Sequence, residues 1–122
     1  MPGMPAEMLR QLYQKGSLRN TEEGFEMVLV NTLAPGTVIG LGPIKVDQRV
    51  FPPEQITVAA GRSERPAERI NERGPVPFPV NGQIRLRVAG TFLTPGQHTV
   101  VINAHLKEIG PFYIEVEDLL TL

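Results

Sequence analysis

His98 and His105 are the only histidines in the 122 residues, and the chain has no cysteine. These two residue types are the usual places to look for metal, nucleophile or proton-transfer chemistry. Without cysteine, disulfides, thiolate nucleophiles and Cys-based zinc sites are excluded. If both histidines lie on one strand, their separation puts them on the order of 23 Å apart on opposite faces, so they cannot chelate one metal within a single chain unless a bend or bulge intervenes. His98 shares parity with Val100 and Ile102, which makes it a histidine at the rim of a core. His105 shares parity with Thr99 and Asn103 and is the candidate for an interface.

The carboxylates form no obvious acid/base pair. Glu22 and Glu23 fall in a turn, and Glu115, Glu117 and Asp118 fall on the outward face or the end of the last strand. A glycosidase-type pair needs two carboxyl groups converging at about 5–10 Å, and the spacing gives no support for one. Gly36, Gly40 and Gly42 look superficially like a phosphate loop, but no Gly-Lys-Ser/Thr follows them. They read as turn and bulge glycines. The residues therefore assign no catalytic residue, metal ligand or cofactor to this chain. A stand-alone enzyme working through His105 and acidic neighbours ranks last among the readings.

Residues 61–82, GRSERPAERINERGPVPFPVNG, carry four arginines, three glutamates and four prolines. A connection longer than about 12–15 residues is uncommon in a compact domain and is usually functional or disordered. Its first half alternates charge from Arg62 to Arg73, so a short helix over Pro66–Asn71 is not favoured. Its second half, Gly74–Val80, must be extended, because each proline pushes its predecessor toward β or polyproline II. Phe78 is a stiff apolar knob between two prolines. Either it folds back onto its own core or it enters a partner's groove. Arg69, Arg73 and Phe78 are the predicted partner contacts.

The elements that carry these residues are mostly strands. Phe25–Asn31, Thr37–Leu41, Ile44–Val46, Arg49–Phe51, Gln55–Ala59, Gln83–Val88, His98–Ala104 and Phe112–Glu117 read as β, and Ser17–Asn20 as a short addition. Asp47-Gln48 predicts a tight hairpin turn. Ile84, Leu86 and Val88 face the core, and Arg85 and Arg87 face out. Val28 and Val30 make a second apolar face on the strand of Phe25, Met27 and Leu29, as a central or covered strand requires. Met8, Leu9, Leu12 and Tyr13 lie at helical spacing within 5–15. The expected fold is all-β: an antiparallel β-sandwich or small partly closed barrel of about eight strands, with a short N-terminal helix.

One domain, 1–122, fits the length. Twelve glycines and twelve prolines without a G-X-Y period mean many turns. The net charge of −1, with both signs interspersed, lacks the basic stripe of a nucleic-acid binder. No apolar run approaches the roughly 20 residues of a membrane span. The N-terminal stretch from Met1 to Pro5 has neither the basic nor the apolar region of a secretory signal, so a cytoplasmic location is expected.

Two segments carry a family resemblance. They are Lys15-Gly16-Ser17-Leu18-Arg19-Asn20-Thr21-Glu22-Glu23-Gly24-Phe25 and Leu93-Thr94-Pro95-Gly96-Gln97-His98-Thr99-Val100. In order and spacing they resemble the small β-subunit family of bacterial C-glycoside deglycosidases. The resemblance implies a non-catalytic accessory subunit of a carbon–carbon lyase complex, stabilising or covering the active site of a larger subunit. That partner would be a TIM-barrel, sugar-isomerase-like chain carrying a divalent metal, often manganese. No catalytic residue of that family maps onto this chain. The alternative is a self-associating β-sandwich, a homo-oligomer with a structural or ligand-binding role.

Overall fold

The computed structural model describes residues 4–121. Met1, Pro2 and Gly3, which begin the stretch weighed above as a leader, and Leu122 lie outside the described residues. A short helix α1 (Ala6–Leu9) runs into a 3-10 turn (Arg10–Leu12). Ten strands follow: β1 (Arg19–Asn20), β2 (Gly24–Val30), β3 (Gly36–Val46), β4 (Arg49–Phe51), β5 (Ile56–Ala60), β6 (Ser63–Pro66), β7 (Val76–Phe78), β8 (Gln83–Ala89), β9 (Gly96–Leu106) and β10 (Gly110–Leu120). All the pairings are antiparallel. One sheet has the order β1-β2-β8-β5-β6, and the other β10-β9-β3-β4 with β7 also on β3. The fold is the expected β-sandwich with a short N-terminal helix; the sheets do not close into a barrel.

The layers follow from strand parity. Phe25, Met27, Ile84, Leu86, Val88, Ile56 and Val58 point inward from the first sheet, and Ile44, Val46, Val100, Ile102 and Ile114 from the second. All are at most 2 % exposed, so each side chain gives nearly its full burial free energy, about 1.5–3 kcal/mol for a large apolar residue. Phe25 meets Phe51 edge to face, ring centroids 5.2 Å apart, joining the sheets near the β3–β4 turn. That turn is the predicted Asp47-Gln48 hairpin: Val46 pairs with Arg49, and Asp47 sits at φ 56°, the left-handed region such turns demand. The two predicted strands at 37–41 and 44–46 are one bulged strand, β3, with register shifts between Val38/Gly40 and Leu41/Ile44.

The arm is ordered structure rather than one long loop. Its first half forms β6 and a single 3-10 turn (Ala67–Arg69), and its second half forms β7. Ala67, Ile70, Val76 and Phe78 enter the core, Phe78 at 2 % exposure. Apolar residues at these spaced positions outweigh the freedom of a Pro/Gly-rich segment. Polar clamps hold the remainder. Arg65 Nη2 donates to the carbonyls of Gly74 (2.9 Å) and Pro75 (2.7 Å). Buried Asn31 donates through Nδ2 to the Phe78 carbonyl at 2.7 Å.

Candidate functional site

The outer face of the first sheet collects the charge. Its strand register makes two rows across the sheet. Arg19 lies opposite Glu26, Glu26 opposite Arg87, and Arg87 opposite Thr57. In the next row Val28 lies opposite Arg85, Arg85 opposite Ala59, and Ala59 opposite Glu64. Antiparallel neighbours on one face stand close enough to interact directly. The pattern therefore brings three arginines around one carboxylate.

Glu26 is only 3 % exposed although it lies on the outer face. Arg19 Nε donates to its Oε2 at 2.6 Å. Arg85 Nε stands 3.5 Å from the same oxygen, and Arg87 Nε 3.8 Å from Oε1. Arg87 also reaches Glu64, Nη1 to Oε1 at 2.9 Å. Burying a carboxylate without partners is costly, and the arginine frame supplies them. Two shallow depressions of about 450 Å³ flank this frame, one over Arg19, Glu26 and Arg87 and one over Val28, Ala59, Arg62 and Arg85.

The histidines lie on opposite faces of β9, as parity requires. His98 is buried (7 % exposed), and both ring nitrogens face oxygens. Nδ1 lies 2.8 Å from Asp47 Oδ2 and Nε2 lies 2.7 Å from the Thr94 carbonyl oxygen, and an ionised carboxylate and a carbonyl both only accept. A neutral imidazole donates only once, so this geometry fits the imidazolium. Burial opposes the charge, but the Thr94 carbonyl and the Asp47 carboxylate outweigh it and raise the His98 pKa above its ordinary value. Asp47 shifts the other way, lowered first by the Thr99 N–H and then by His98. With both nitrogens occupied, His98 has no lone pair for a substrate. His105 is half-buried and packs beside Gly40.

Asp118, expected on the outward face or at the end of the last strand, lies near the end of β10 with its side chain buried. It is 2 % exposed and sits opposite His98 in the strand register. It accepts from Tyr13 Oη (2.7 Å), Gly16 N (2.9 Å) and Leu18 N (3.2 Å). Burial first, and then the Asp118 hydrogen bond and charge, push the Tyr13 phenol well above its usual range. This carboxylate fastens the N-terminal segment to β10.

Of the predicted contacts, Arg69 and Arg73 are exposed on the arm, and among the described residues neither makes an ion pair. Phe78 takes the folded-back alternative, buried in its own core. The residue that sequence reasoning passed over is Glu26. Its signal was one acid in the middle of the apolar run Phe25–Val30, facing the same way as the alternating arginines of β8. Among the described residues, no three His, Asp or Glu side chains converge as metal ligands, and no helix is long and apolar enough to cross a membrane.

Residues 8–121 match the family model described as hydroxymethylglutaryl-CoA reductase, N-terminal domain, and the chain belongs to that family. No curated protein matches it. The match overturns the resemblance to C-glycoside deglycosidase β-subunits, and with it the lyase complex and the TIM-barrel, sugar-isomerase-like partner. The manganese expectation rested on that resemblance alone. The self-associating alternative gains nothing from the match either. The two segments that suggested the resemblance are a turn entering β2 and a turn entering β9. Such turn-and-strand grammar recurs across sandwiches of unrelated function.

Proposed function

We propose, from its membership of the hydroxymethylglutaryl-CoA reductase N-terminal domain family, that this chain is a non-catalytic module of a reductase-related protein. The family match over residues 8–121 carries the reading. The local chemistry supports it, since His98 is consumed by Asp47 and Thr94 and Asp118 by Tyr13 and backbone N–H groups. The module works by docking onto the catalytic part of such a protein, in the cytoplasm, with the exposed arm residues Arg69 and Arg73 as contacts and His105 at the margin of an interface. Guanidinium groups suit this task because their planar fork pairs bidentately with carboxylates.

The test is an activity assay. The purified chain, supplied with hydroxymethylglutaryl-CoA and either reduced nicotinamide cofactor, consumes no cofactor on this reading. Turnover by the chain alone overturns it. Arg69→Glu with Arg73→Glu weakens binding to a reductase catalytic part about tenfold, as a reversed charge at an interface does.

A further inference from the structure

We infer that the depression over Val28, Ala59 and Gly61 is a binding site for an organic carboxylate. The site is independent of the family reading and rests on charge and shape alone. Its lining includes three short residues: Val28 from β2, Ala59 from β5 and Gly61 from the β5–β6 turn. Its walls are Arg62, Gln83, Arg85 and Arg87, with Glu64 as the only carboxylate in the lining. The space is about 450 Å³, in the range of small-molecule sites.

The lining holds spare positive charge. Glu64 is committed to Arg87 at 2.9 Å. The Glu26 oxygen nearest Arg85 is already bound by Arg19 at 2.6 Å. Arg85 Nε is buried, lies 3.5 Å from that oxygen and makes no hydrogen bond, while the side chain remains 43 % exposed. Arg62 makes no ion pair among the described residues. Arg62 is thus uncompensated at this depression, and Arg85 pairs only at 3.5 Å with a Glu26 oxygen that Arg19 already holds, with Gln83 beside them as a further donor. A carboxylate satisfies a guanidinium with two parallel bonds. The apolar side chains of Val28 and Ala59 give the hydrocarbon part of an organic acid a place to lie, which an inorganic anion cannot use. The carboxylate is carried either by a free small acid or by an acidic side chain of a docked chain.

The probes are butyrate, its neutral isostere butanamide, and the capped peptide acetyl-Gly-Glu-Gly-amide, read by NMR at the arginine Nε–H signals. The buried Arg85 Nε–H is shielded from exchange and provides the reporter. Butyrate shifts it saturably and butanamide does not. Arg62→Ala and Arg85→Gln each weaken binding about tenfold, the effect of one charge-assisted hydrogen bond. Arg85→Lys keeps the charge but loses the fork, and it binds more weakly than the native chain while folding normally. A response to butyrate identifies a free acid as ligand, and a response to the peptide alone identifies an acidic side chain. No shift with either, or equal shifts with butyrate and butanamide, overturns the proposal.

Discussion

The two sheets bury carboxylates in opposite ways. Asp118, at the end of the second sheet, is surrounded by the Tyr13 hydroxyl and by backbone N–H groups of Gly16 and Leu18. Its charge is spread over fixed dipoles, and nothing is left to offer a ligand. Glu26, on the first sheet, is surrounded by whole cations, and their number exceeds what one carboxylate and Glu64 can neutralise. The first arrangement fastens chain to chain. The second leaves charge at the surface. A buried acid is therefore not in itself a sign of function; what compensates it decides.

The largest expected effect comes from breaking the fastening side. Asp118→Ala leaves the Tyr13 hydroxyl and two backbone donors without their acceptor in a buried place and costs about 3 kcal/mol. Urea denaturation measures it, and carboxylate binding on the first sheet stays unchanged in the same variant. A loss below about 0.5 kcal/mol would mean that water replaces the carboxylate and that the second sheet is not locked as described.

Neither carboxylate could be placed fully from sequence. Alternation found the inward and outward residues of β8, and the turn chemistry found the Asp47-Gln48 hairpin, because both depend on local steric and solvation rules. Asp118 reads as lying on the outward face or at the end of the last strand. Its partners come from residues 13–18, about a hundred positions away, and no local pattern announces that contact. Glu26 was legible as an anomaly in an apolar run, but its arginine frame appears only when β1, β2 and β8 are set in register. Residues 61–82 read as one long arm because of their Pro, Arg and Glu content, whereas they hold β6, a 3-10 turn and β7. Its Phe78 turned inward because β7 pairs with β3, a pairing set by the sandwich rather than by the prolines.

On the charge-rich side, Glu26→Gln leaves Arg19, Arg85 and Arg87 facing one another. The arginine side chains are 41–65 % exposed, so solvent screens the repulsion and the cost is about 1 kcal/mol. The loss shrinks in high salt, as the screening length shortens. The Asp118→Ala loss does not respond to salt. Equal salt responses of the two variants would erase the distinction between the sheets.

The smallest expected effect belongs to the His98 clamp. The folded pKa of His98 lies above its ordinary value of 6.5, so its contribution is complete below 6.5 and is lost as pH rises through the folded value. The folded pKa of Asp47 lies below its ordinary 3.8, so its contribution is present above 3.8 and is lost as pH falls through the folded value. The clamp is whole between these two limits. The Asp47 side chain is 50 % exposed, which holds the contribution to about 1 kcal/mol or less. Denaturation midpoints followed across pH decline on the alkaline side in the native chain, and His98→Gln removes that decline. The same slope in both would sever the clamp from stability.

A non-catalytic module that belongs with reductase chemistry travels with it, so the native mass of the chain purified gently from its own cells, with each co-eluting species identified, decides the matter. The expected result is the chain in fixed ratio with a hydroxymethylglutaryl-CoA reductase-type catalytic chain, or joined to it in one polypeptide. The chain recovered by itself, with no such catalytic part attached or associated, would contradict it.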